Sequence, residues 1–436
     1  MNKTDRQILR IALPSIASNI TVPLLGLVDT AIVGHMGDAA YIGAIAVGSM
    51  IFNVYYWVFG FLRMGTSGMT SQALGRRDLP EVTRLLLRSL AVGGMVALAL
   101  LVLQRPLFAV ALSVIRPSAD LLPSVSTYYD ICIWGAPAML GLYGLTGWYI
   151  GMQNTRIPMV VAIVQNVVNI AASLSFVYAL GMKVEGVALG TLVAQYAGLL
   201  CAVVMLVTGY GRLRTYVSWT GIFVRAAMVR FFGVNRDIFL RTLFLVAINL
   251  YFLSAGASQG TVVLAVNTLL MQLFTLYSYV MDGFAYAGEA LCGRHKGADN
   301  GAALGHSVRR LFFWGTSLAV AYTLAYAVGG EPFLCLLTDE AEVISAAGPY
   351  FPWAVLIPLA GMAAFIWDGV FIGLTATRGM LVSSALSAVV FFVLYSLLSS
   401  SMDNHALWLA FIAYLSARGV AQTVMYRYKM CGVQRP

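Results

Sequence analysis

The sequence predicts an all-α integral membrane protein with twelve transmembrane helices arranged as two parallel six-helix repeats. Three observations lead to this fold class. Hydrophobic residues make up 60% of the 436 residues and charged residues only 10%, which leaves too little polar surface for a water-soluble protein. Apolar runs long enough to cross a bilayer recur along the whole chain. Finally, two segments about half the chain apart are nearly identical, which indicates an internal repeat.

Twelve apolar runs reach the length that a bilayer crossing requires. They cover residues 8–34, 41–75, 83–112, 123–152, 157–181, 186–211, 237–257, 260–293, 306–329, 342–374, 379–402 and 405–427. Several exceed the roughly 20 residues that one crossing needs, so we expect tilted helices or helices that continue into water. The first run is too long for a signal-peptide core and lacks a small-residue cleavage site, so we expect it to remain as the first span.

The distribution of lysine and arginine predicts the orientation. With a cytoplasmic N-terminus, most of the 27 basic residues fall on the cytoplasmic side, whereas the loop after the ninth span is acidic. Twelve spans then place both termini in the cytoplasm, and we expect a multi-pass protein of a bacterial inner membrane. Topology accounts for the net charge of +9, so no nucleic-acid partner is expected. The five cysteines show no paired or metal-like spacing, which argues against a disulfide framework or a metal site.

The repeat relates residues that are 222 positions apart, and we call two such residues repeat-equivalent. Gly147–Arg156 reads GWYIGMQNTR and Gly369–Arg378 reads GVFIGLTATR. Each half holds an even number of spans, so both halves enter the membrane from the same side and the repeat is parallel. We predict an N-terminal six-helix lobe at 1–215, a C-terminal six-helix lobe at 216–436, and a substrate cavity between them. Such repeats are typical of secondary transporters.

A basic linker joins the two halves between Arg212 and Arg236. Its central part, Trp219–Val229, is predicted to form an interfacial helix on the inner leaflet, attracted by anionic lipid.

Polar residues within the spans are the functional candidates, because a charged group inside a membrane costs several kcal/mol unless it is paired or hydrated. Depth follows from the distance to the flanking loop at about 1.5 Å per residue. Five candidates lie in the outer half of the first six spans, and we expect them to converge on one cavity: Asp29, Tyr128, Asn169, Ser173 and Thr191.

A second group of charged residues shares a level in the inner half of the membrane. Its members are Arg63, Asp282, Asp368 and Arg418. One hypothesis is that Arg63 pairs with Asp282 or Asp368 across the lobes as an inner gate. The alternative is a static pair within one lobe, such as Asp282–Arg418. The repeat does not duplicate these charges, so we expect the chemistry to differ between the halves.

An intramembrane enzyme is not expected. No metal-binding or nucleophile motif occurs, and the four histidines lie in or near predicted loops.

Several segments resemble the multidrug and toxic compound extrusion family. These are ALPSI and PLLGLVDTAIVGHMG within Ala12–Gly37, RMGTSGMTSQALGRRD at the end of the second span, and NVVNIAASLSFVYALGM at Asn166–Met182. The segments FLRMG, DGFAYAGEAL and WDGVFIG place the chain nearest the DinF-like branch of that family.

The resemblance implies twelve helices in two lobes around a central cleft, and export of amphipathic, often cationic compounds against an inward flow of H⁺ or Na⁺. The family's first-helix carboxylate falls on Asp29 and its bending proline on Pro14. Its polar partners fall on Tyr128, Asn169 and Thr191. Relatives often carry an aspartate where this chain has Ser173. One carboxylate with neutral oxygens makes a weaker cation cage than two, so we expect H⁺ coupling.

The resulting expectation is a cation-coupled antiporter that exports amphipathic, cationic or organic toxic compounds from the cytoplasm by alternating access. It would act as a monomer in the bilayer, without a metal or organic cofactor, and with H⁺ as coupling ion. Two alternatives remain open. One is Na⁺-coupled drug export. The other is a flippase for a lipid-linked precursor, which would need more basic residues in the cleft than Arg63 and usually has extra spans.

Overall fold

The structure, a computed structural model, describes residues 2–34, 39–218, 221–338 and 340–433. Inside the helices, the side chains of residues 22–31, 33, 34, 39, 331, 336, 337 and 429–433 are outside the description. Asp29 therefore lies on a described helix, but its side chain does not belong to the described part. The same holds for Pro23.

Helices make up nearly all of the described chain, and no strand occurs within it. In chain order they are α1 (Lys3–Gly34), α2 (Ala39–Phe59), α3 (Phe61–Gly75), α4 (Leu79–Val102), α5 (Gln104–Ile115), α6 (Leu122–Cys132), α7 (Ala136–Gly151), α8 (Arg156–Leu174), α9 (Val184–Tyr210), α10 (Arg225–Ser258), α11 (Thr261–Gly297), α12 (Gly301–Leu337), α13 (Ala341–Ala347), α14 (Phe351–Gly373) and α15 (Thr377–Val433). The predicted all-α membrane architecture is confirmed.

Each predicted span coincides with one of these helices or with a consecutive pair. Within the described ranges, nine helices are long and apolar enough to cross a membrane. One of them, α15, is broken at Asp403, where φ is 45°, and so supplies the last two spans. The second span is α2 followed by α3, with the break at Gly60.

The repeat extends to the backbone conformation of the turns that end α7 and α14. Gln153 has φ 63° and Thr375 has φ 50°, a left-handed conformation that is uncommon for residues other than glycine. The next N–H donates back into the helix at both turns, from Asn154 to the Tyr149 carbonyl and from Ala376 to the Phe371 carbonyl, each at 2.9 Å. The repeat-equivalent helices α7 and α14 therefore end in turns of the same conformation.

The turns that open α4 and α12 are also repeated. Arg77 and Asp299 both have positive φ, and each is followed by a capping side chain. Asp78 accepts a hydrogen bond from the Glu81 N–H at 3.1 Å, and Asn300 accepts one from the Ala303 N–H at 2.9 Å. Such caps satisfy backbone N–H groups that have no partner inside the helix.

The glycines of the repeated segment explain why both halves of the chain keep it. A Cβ atom on Gly147 in α7 would overlap the Arg63 carbonyl oxygen in α3. A Cβ atom on Gly369 in α14 would overlap the Ala285 carbonyl oxygen in α11, which is the repeat-equivalent contact. Small residues let membrane helices approach closely. The segment is thus primarily a helix-packing element.

One turn further along, the same contact is made again. A Cβ on Gly151 would lie 2.8 Å from the Ser67 carbonyl oxygen, and one on Gly373 would lie 2.7 Å from the Glu289 carbonyl oxygen. Real side chains are not found at such distances, so both positions of this G-x-x-x-G pattern require glycine.

The chain divides into two compact units. The N-unit is Ala17–Asn235, and the C-unit combines Met1–Ile16 with Arg236–Pro436. These units differ from the predicted lobes at α1 and α10, because the first part of each helix belongs with the other half of the chain. Pro14 lies inside α1, close to the point where that helix passes from one unit to the other.

The linker folds differently from the prediction. Residues 211–216 form a short 3₁₀ helix, residues 221–223 form turns, and α10 begins only at Arg225. An interfacial helix over Trp219–Val229 is therefore wrong in its bounds; residues 219 and 220 lie outside the described part. The physical reason is a hydrogen bond to the backbone of the turn at 221–223. The Nε atom of the buried Arg88 in α4 donates to the Ile222 carbonyl at 2.9 Å.

The start of α1 is held in the C-unit by the buried carboxylate of Asp5. Arg310 in α12 donates to it through two nitrogens, Nε to Oδ1 at 2.7 Å and Nη2 to Oδ2 at 2.9 Å. Trp314 Nε1 donates to Oδ1 at 3.1 Å, and the Asn2 N–H donates to Oδ2 at 3.1 Å. A two-pronged guanidinium–carboxylate contact is among the stronger hydrogen-bonded pairs in proteins.

The glycine contact gives a first prediction. Gly369→Ala places a methyl group against the backbone of α11, so we expect a loss of roughly 1–3 kcal/mol from overpacking and a lower melting temperature in detergent. Gly94→Ala in α4 is the matched control, because a Cβ there meets no atom within 4 Å. It should leave the melting temperature unchanged or raise it. Equal effects of the two substitutions would contradict the packing role.

The Asp5 pair gives a second prediction. The hydrogen bond from Arg310 lowers the pKa of the Asp5 carboxyl below its usual value, and burial opposes this only in part. The stabilisation is therefore present above the unfolded-state pKa of about 3.9 and is lost as the pH falls through the folded-state value. Thermal unfolding of Asp5→Asn and wild type should differ clearly at pH 7, and the difference should shrink as the pH falls below the unfolded-state pKa of about 3.9. A pH-independent difference would rule this out, and Asp120→Asn, at an exposed residue, serves as control.

Candidate functional site

The polar group predicted in the outer half of the N-unit centres on Asn169 and Ser173 in α8. Both side chains are fully buried. The Asn169 Nδ2 donates to Thr191 Oγ1 in α9 at 3.1 Å. The Asn169 Oδ1 and the Ser173 Oγ have no hydrogen-bond partner among the described residues. The structure thus brings three of the predicted residues together and leaves two buried oxygen atoms unsatisfied.

Close packing of α8 against α9 creates this arrangement. A Cβ on Gly190 in α9 would overlap the Ser173 Oγ, so only glycine lets the two helices approach here. Directly after the end of α8, residues 175–179 form a π-helical turn. π-helical turns occur often at functional sites, where they interrupt the regular hydrogen bonds of an α-helix.

A buried oxygen without a partner costs about 1–3 kcal/mol, so natural proteins rarely keep two of them side by side. An amide oxygen and a hydroxyl oxygen accept hydrogen bonds from a protonated carboxyl group and also bind hard cations. The site can therefore hold either a donor side chain or a small cation.

Tyr128 forms a second polar contact, between α6 and α2. Its hydroxyl lies 3.2 Å from Ser49 Oγ, and its ring fills the space beside Gly48, where a Cβ atom would overlap it. The ring of Phe52 lies 6.4 Å from the Tyr128 ring. Ser49 was missed by the sequence analysis, because a single uncharged serine in a span carries no signal of its own.

The first helix reaches this region through Thr21. The Asn166 Nδ2 in α8 donates to the Thr21 carbonyl in α1 at 3.0 Å, inside the N-unit. Asp29 follows on the same helix, with its side chain outside the described part. The structure therefore positions the helix that carries Asp29, and the role of that carboxylate stays a prediction.

The C-unit contains a buried charge cluster around Asp368 in α14. Its carboxylate accepts hydrogen bonds from Arg241 in α10 and from Gln422 in α15, the latter at 2.8 Å. Arg418 lies 3.3 Å away, and its Nη1 also donates to the Tyr414 hydroxyl at 3.1 Å. All of these charged groups are buried.

The cluster joins two of the four residues predicted at the inner level, Asp368 and Arg418, within one unit. Asp282 in α11 belongs to the same unit and contributes to the electrostatic potential at Arg418. Arg63 lies in α3 of the N-unit, and its pairing with either aspartate stays a prediction.

Arg241 was not among the predicted site residues, although it falls within the seventh predicted span, 237–257. The helix α10 begins at Arg225, so Arg241 lies well inside it. It was missed because it lies near the start of that predicted span, where an arginine is expected among the basic residues of the cytoplasmic side.

Within the described part of the chain, no group of three or more histidine, cysteine, aspartate or glutamate side chains is placed to hold a metal ion. The two clusters above are therefore built from amides, hydroxyls and guanidinium–carboxylate pairs.

Comparison with known proteins identifies the family. The MatE family model matches the chain twice, over residues 14–175 and 238–397. The chain belongs to the MatE family. The two matches also confirm the two repeated halves, and they agree with the resemblance found in the sequence.

Individual relatives support the same membership. DNA damage-inducible protein F of Escherichia coli is 35% identical and is aligned over 98% of this chain and 93% of its own length. Multidrug and toxin extrusion protein 1 of the rabbit, Oryctolagus cuniculus, is 30% identical over 44% of this chain and 34% of the relative. The first of these confirms the expected DinF-like branch.

Solved structures share the fold. A crystal structure of the MATE transporter VcmN of Vibrio cholerae superposes with a TM-score of 0.86 at 17% identity, covering 98% of this chain and 97% of that one. A MOP superfamily transporter of Pyrococcus furiosus gives 0.85 at 16% identity, covering 100% and 98%. The MatE chain is thus a multi-pass membrane protein of a transporter family, not an enzyme.

The C-unit cluster gives a third prediction. Asp368→Asn removes the carboxylate that two buried guanidinium groups contact, and breaking a buried ion pair in this way costs about 3–5 kcal/mol. We expect a clearly lower melting temperature in detergent. The control is Arg236→Gln, which removes the 3.0 Å pair between Asp237 and an arginine side chain that is 64% exposed. Exposed partners of this kind contribute about 0–1 kcal/mol. Wild-type stability of Asp368→Asn would refute the structural role.

Proposed function

We propose that this MatE protein is an H⁺-coupled antiporter that exports amphipathic, cationic or organic toxic compounds from the cytoplasm by alternating access. The observation that carries the proposal is the pair of buried, unsatisfied oxygens on Asn169 and Ser173. They lie on α8, which contacts the helix that bears Asp29. Its localisation in a bacterial inner membrane, its cytoplasmic termini and its monomeric state belong to the same proposal.

The level of Asp29 supports this assignment. In the predicted topology the first and fifth spans, which contain α1 and α8, both run outward. From the contact between Thr21 and Asn166, Asp29 lies eight residues further along α1, and Ser173 lies seven residues further along α8. Equal rise per residue puts both positions at about the same depth.

The chemistry of the donors favours H⁺ over Na⁺. A protonated carboxyl group supplies one O–H donor, which satisfies one of the unpaired oxygens, whereas the ionised form supplies none. A Na⁺ ion would need several oxygen ligands and gains from a second negative charge, and Ser173 provides only a neutral hydroxyl. Na⁺ coupling is the alternative outcome of the test below.

In the proposed cycle, the substrate leaves outward and the Asp29 carboxylate takes a proton from outside. The neutral carboxyl group can then donate a hydrogen bond into the Asn169–Ser173 site without the cost of a buried charge. A bend of α1 at Pro14 accompanies this step, because proline removes a backbone hydrogen bond and lets a helix kink. The lobes then alternate, which opens the substrate site to the cytoplasm.

Asp29→Asn tests the coupling directly. In proteoliposomes with a trapped pH-sensitive dye, we expect this variant to lose substrate-driven proton movement completely while it keeps its melting temperature. Asp130→Asn is the matched control, because Asp130 lies on α6 in an exposed 3.4 Å pair with Arg105. Coupled proton movement at the wild-type rate in Asp29→Asn would end the proposal, and a response to an imposed Na⁺ gradient alone would favour the Na⁺ alternative.

A further inference from the structure

A cavity in the N-unit remains unexplained by transport. Its volume is about 260 Å³, and it lies where the end of α3, the first turns of α4 and the first turns of α10 meet. We call it the basic pocket, and its lining residues are Met69, Arg76, Glu81, Leu85, Arg88, Ala226, Ala227 and Arg230. The positive-inside distribution puts these helix ends on the cytoplasmic side.

Because of the internal repeat, the basic pocket can be compared with the equivalent place in the C-unit. Arg88 in α4 and Arg310 in α12 are repeat-equivalent. In the C-unit, Arg310 binds the carboxylate of Asp5 through Nε and Nη2. The repeat-equivalent of Asp5 is Ala227, which lines the basic pocket. The N-unit therefore keeps the arginine of this pair and has no carboxylate at the position that corresponds to Asp5.

In the N-unit, neutral backbone carbonyl groups accept the hydrogen bonds from the Nε and Nη2 atoms of Arg88. Arg88 Nε donates to the Ile222 carbonyl at 2.9 Å, and Nη2 donates to the Gly221 carbonyl at 3.5 Å. The only carboxylate that Arg88 contacts in the described structure is Glu81, at 3.3 Å, and Glu81 also lies 3.9 Å from Arg84. One negative charge is thus shared by two guanidinium groups, and the residue that carries one of them, Arg88, is only 1% exposed.

Two further arginines increase the positive charge. Arg76 and Arg230 both line the basic pocket, and their repeat-equivalent positions in the C-unit hold Ala298 and Ile8. Arg230 donates to Gln72 Oε1, a neutral acceptor, at 3.4 Å. Compared with the C-unit, the N-unit therefore lacks the Asp5 carboxylate, has Glu81 where the C-unit has Ala303, and has two additional arginines at the corresponding place.

The start of α10 adds to the positive electrostatic potential in the basic pocket. Ala226 and Ala227 are in the first turn of that helix, and the preceding residue, Val224, has no side-chain oxygen with which to cap it. Unsatisfied N–H groups at a helix start attract anions. At about 260 Å³ the cavity is smaller than the roughly 300–1,000 Å³ typical of sites for drug-sized ligands, so it suits a compact anion.

We propose that the basic pocket binds a phosphoryl group at the place where the C-unit has the Asp5 carboxylate. Arginine side chains and a helix start are the groups that proteins use to bind phosphate. The anion has two possible sources, a soluble phosphate and the headgroup of an anionic lipid. Close in sequence to the lining residues of α10, the apolar residues Phe223 and Val229 are 61% and 65% exposed, which is compatible with acyl chains next to a headgroup. This proposal does not depend on the coupling ion or on the exported compound.

The test measures the melting temperature of the full-length protein in detergent. Sodium phosphate is compared with sodium chloride at equal ionic strength, and short-chain phosphatidylglycerol is compared with phosphatidylcholine. A ligand that binds only the folded protein raises its melting temperature with concentration. Stabilisation by both phosphate and phosphatidylglycerol supports a site open to either source, and stabilisation by phosphatidylglycerol alone supports a lipid site. If neither stabilises the protein, the proposal is wrong.

Ala227→Asp connects the effect to the pocket, because it supplies the missing carboxylate. We expect this variant to be as stable as wild type or more stable without ligand, and its ligand affinity to fall about tenfold or more, as an added negative charge repels the anion. Ala227→Asn has nearly the same shape without the charge and should keep most of the affinity. Arg230→Ala, at an exposed residue, should lower the affinity without affecting folding. Undiminished binding by Ala227→Asp, or equal losses in the Asp and Asn variants, would overturn the proposal.

Discussion

The close approach of α7 to α3, and of α14 to α11, is the constraint on which both units depend. It is made twice with the same geometry, by glycines whose missing side chains let one helix contact the backbone of the next. The residues around these contacts include the important charges: Gly147 lies against the Arg63 backbone, and Asp368 directly precedes Gly369. Because the backbone positions are set by glycine packing, the charged side chains are free to differ between the halves.

That freedom explains why one scaffold carries two different polar interiors. In the C-unit, Asp368 accepts hydrogen bonds from Arg241 and Gln422 and lies 3.3 Å from Arg418, so its charge is compensated within the cluster. Nitrogen atoms of both arginines and the Gln422 Oε1 have no hydrogen-bond partner among the described residues. In the N-unit, the site residues Asn169, Ser173 and Thr191 are neutral, and the oxygens Asn169 Oδ1 and Ser173 Oγ lack partners among the described residues. Protonating the Asp368 carboxylate would break a buried ion pair, whereas the neutral oxygens of the N-unit gain a hydrogen bond or an ion contact when they bind a donor or a cation. The N-unit is therefore the better location for reversible chemistry.

Most of the fold followed from the sequence, since long apolar runs and a repeat at a constant spacing are strong signals in a membrane protein. The site followed only in part. The estimated depth in the membrane identified four residues of the two clusters, because the rise per residue of a helix is nearly constant. They are Asn169, Ser173, Asp368 and Arg418. Depth does not say which way a side chain faces. For this reason Arg241, near the start of the seventh predicted span, was missed as a partner of Asp368. The Asp5–Arg310 pair was missed because its members are 305 residues apart.

The first helix of each half also shows how the repeat diverged. Both α1 and α10 begin in one compact unit and continue in the other. In α1 the start is held by the Asp5 carboxylate, and Pro14 follows within the helix. The repeat-equivalent of Pro14 is Arg236, so α10 lacks the proline. A helix with one end held and a weakened point beyond it can respond by moving its other end. That other end carries Asp29, so a bend in α1 would move the carboxylate, whereas α10 has neither the proline nor an equivalent acid.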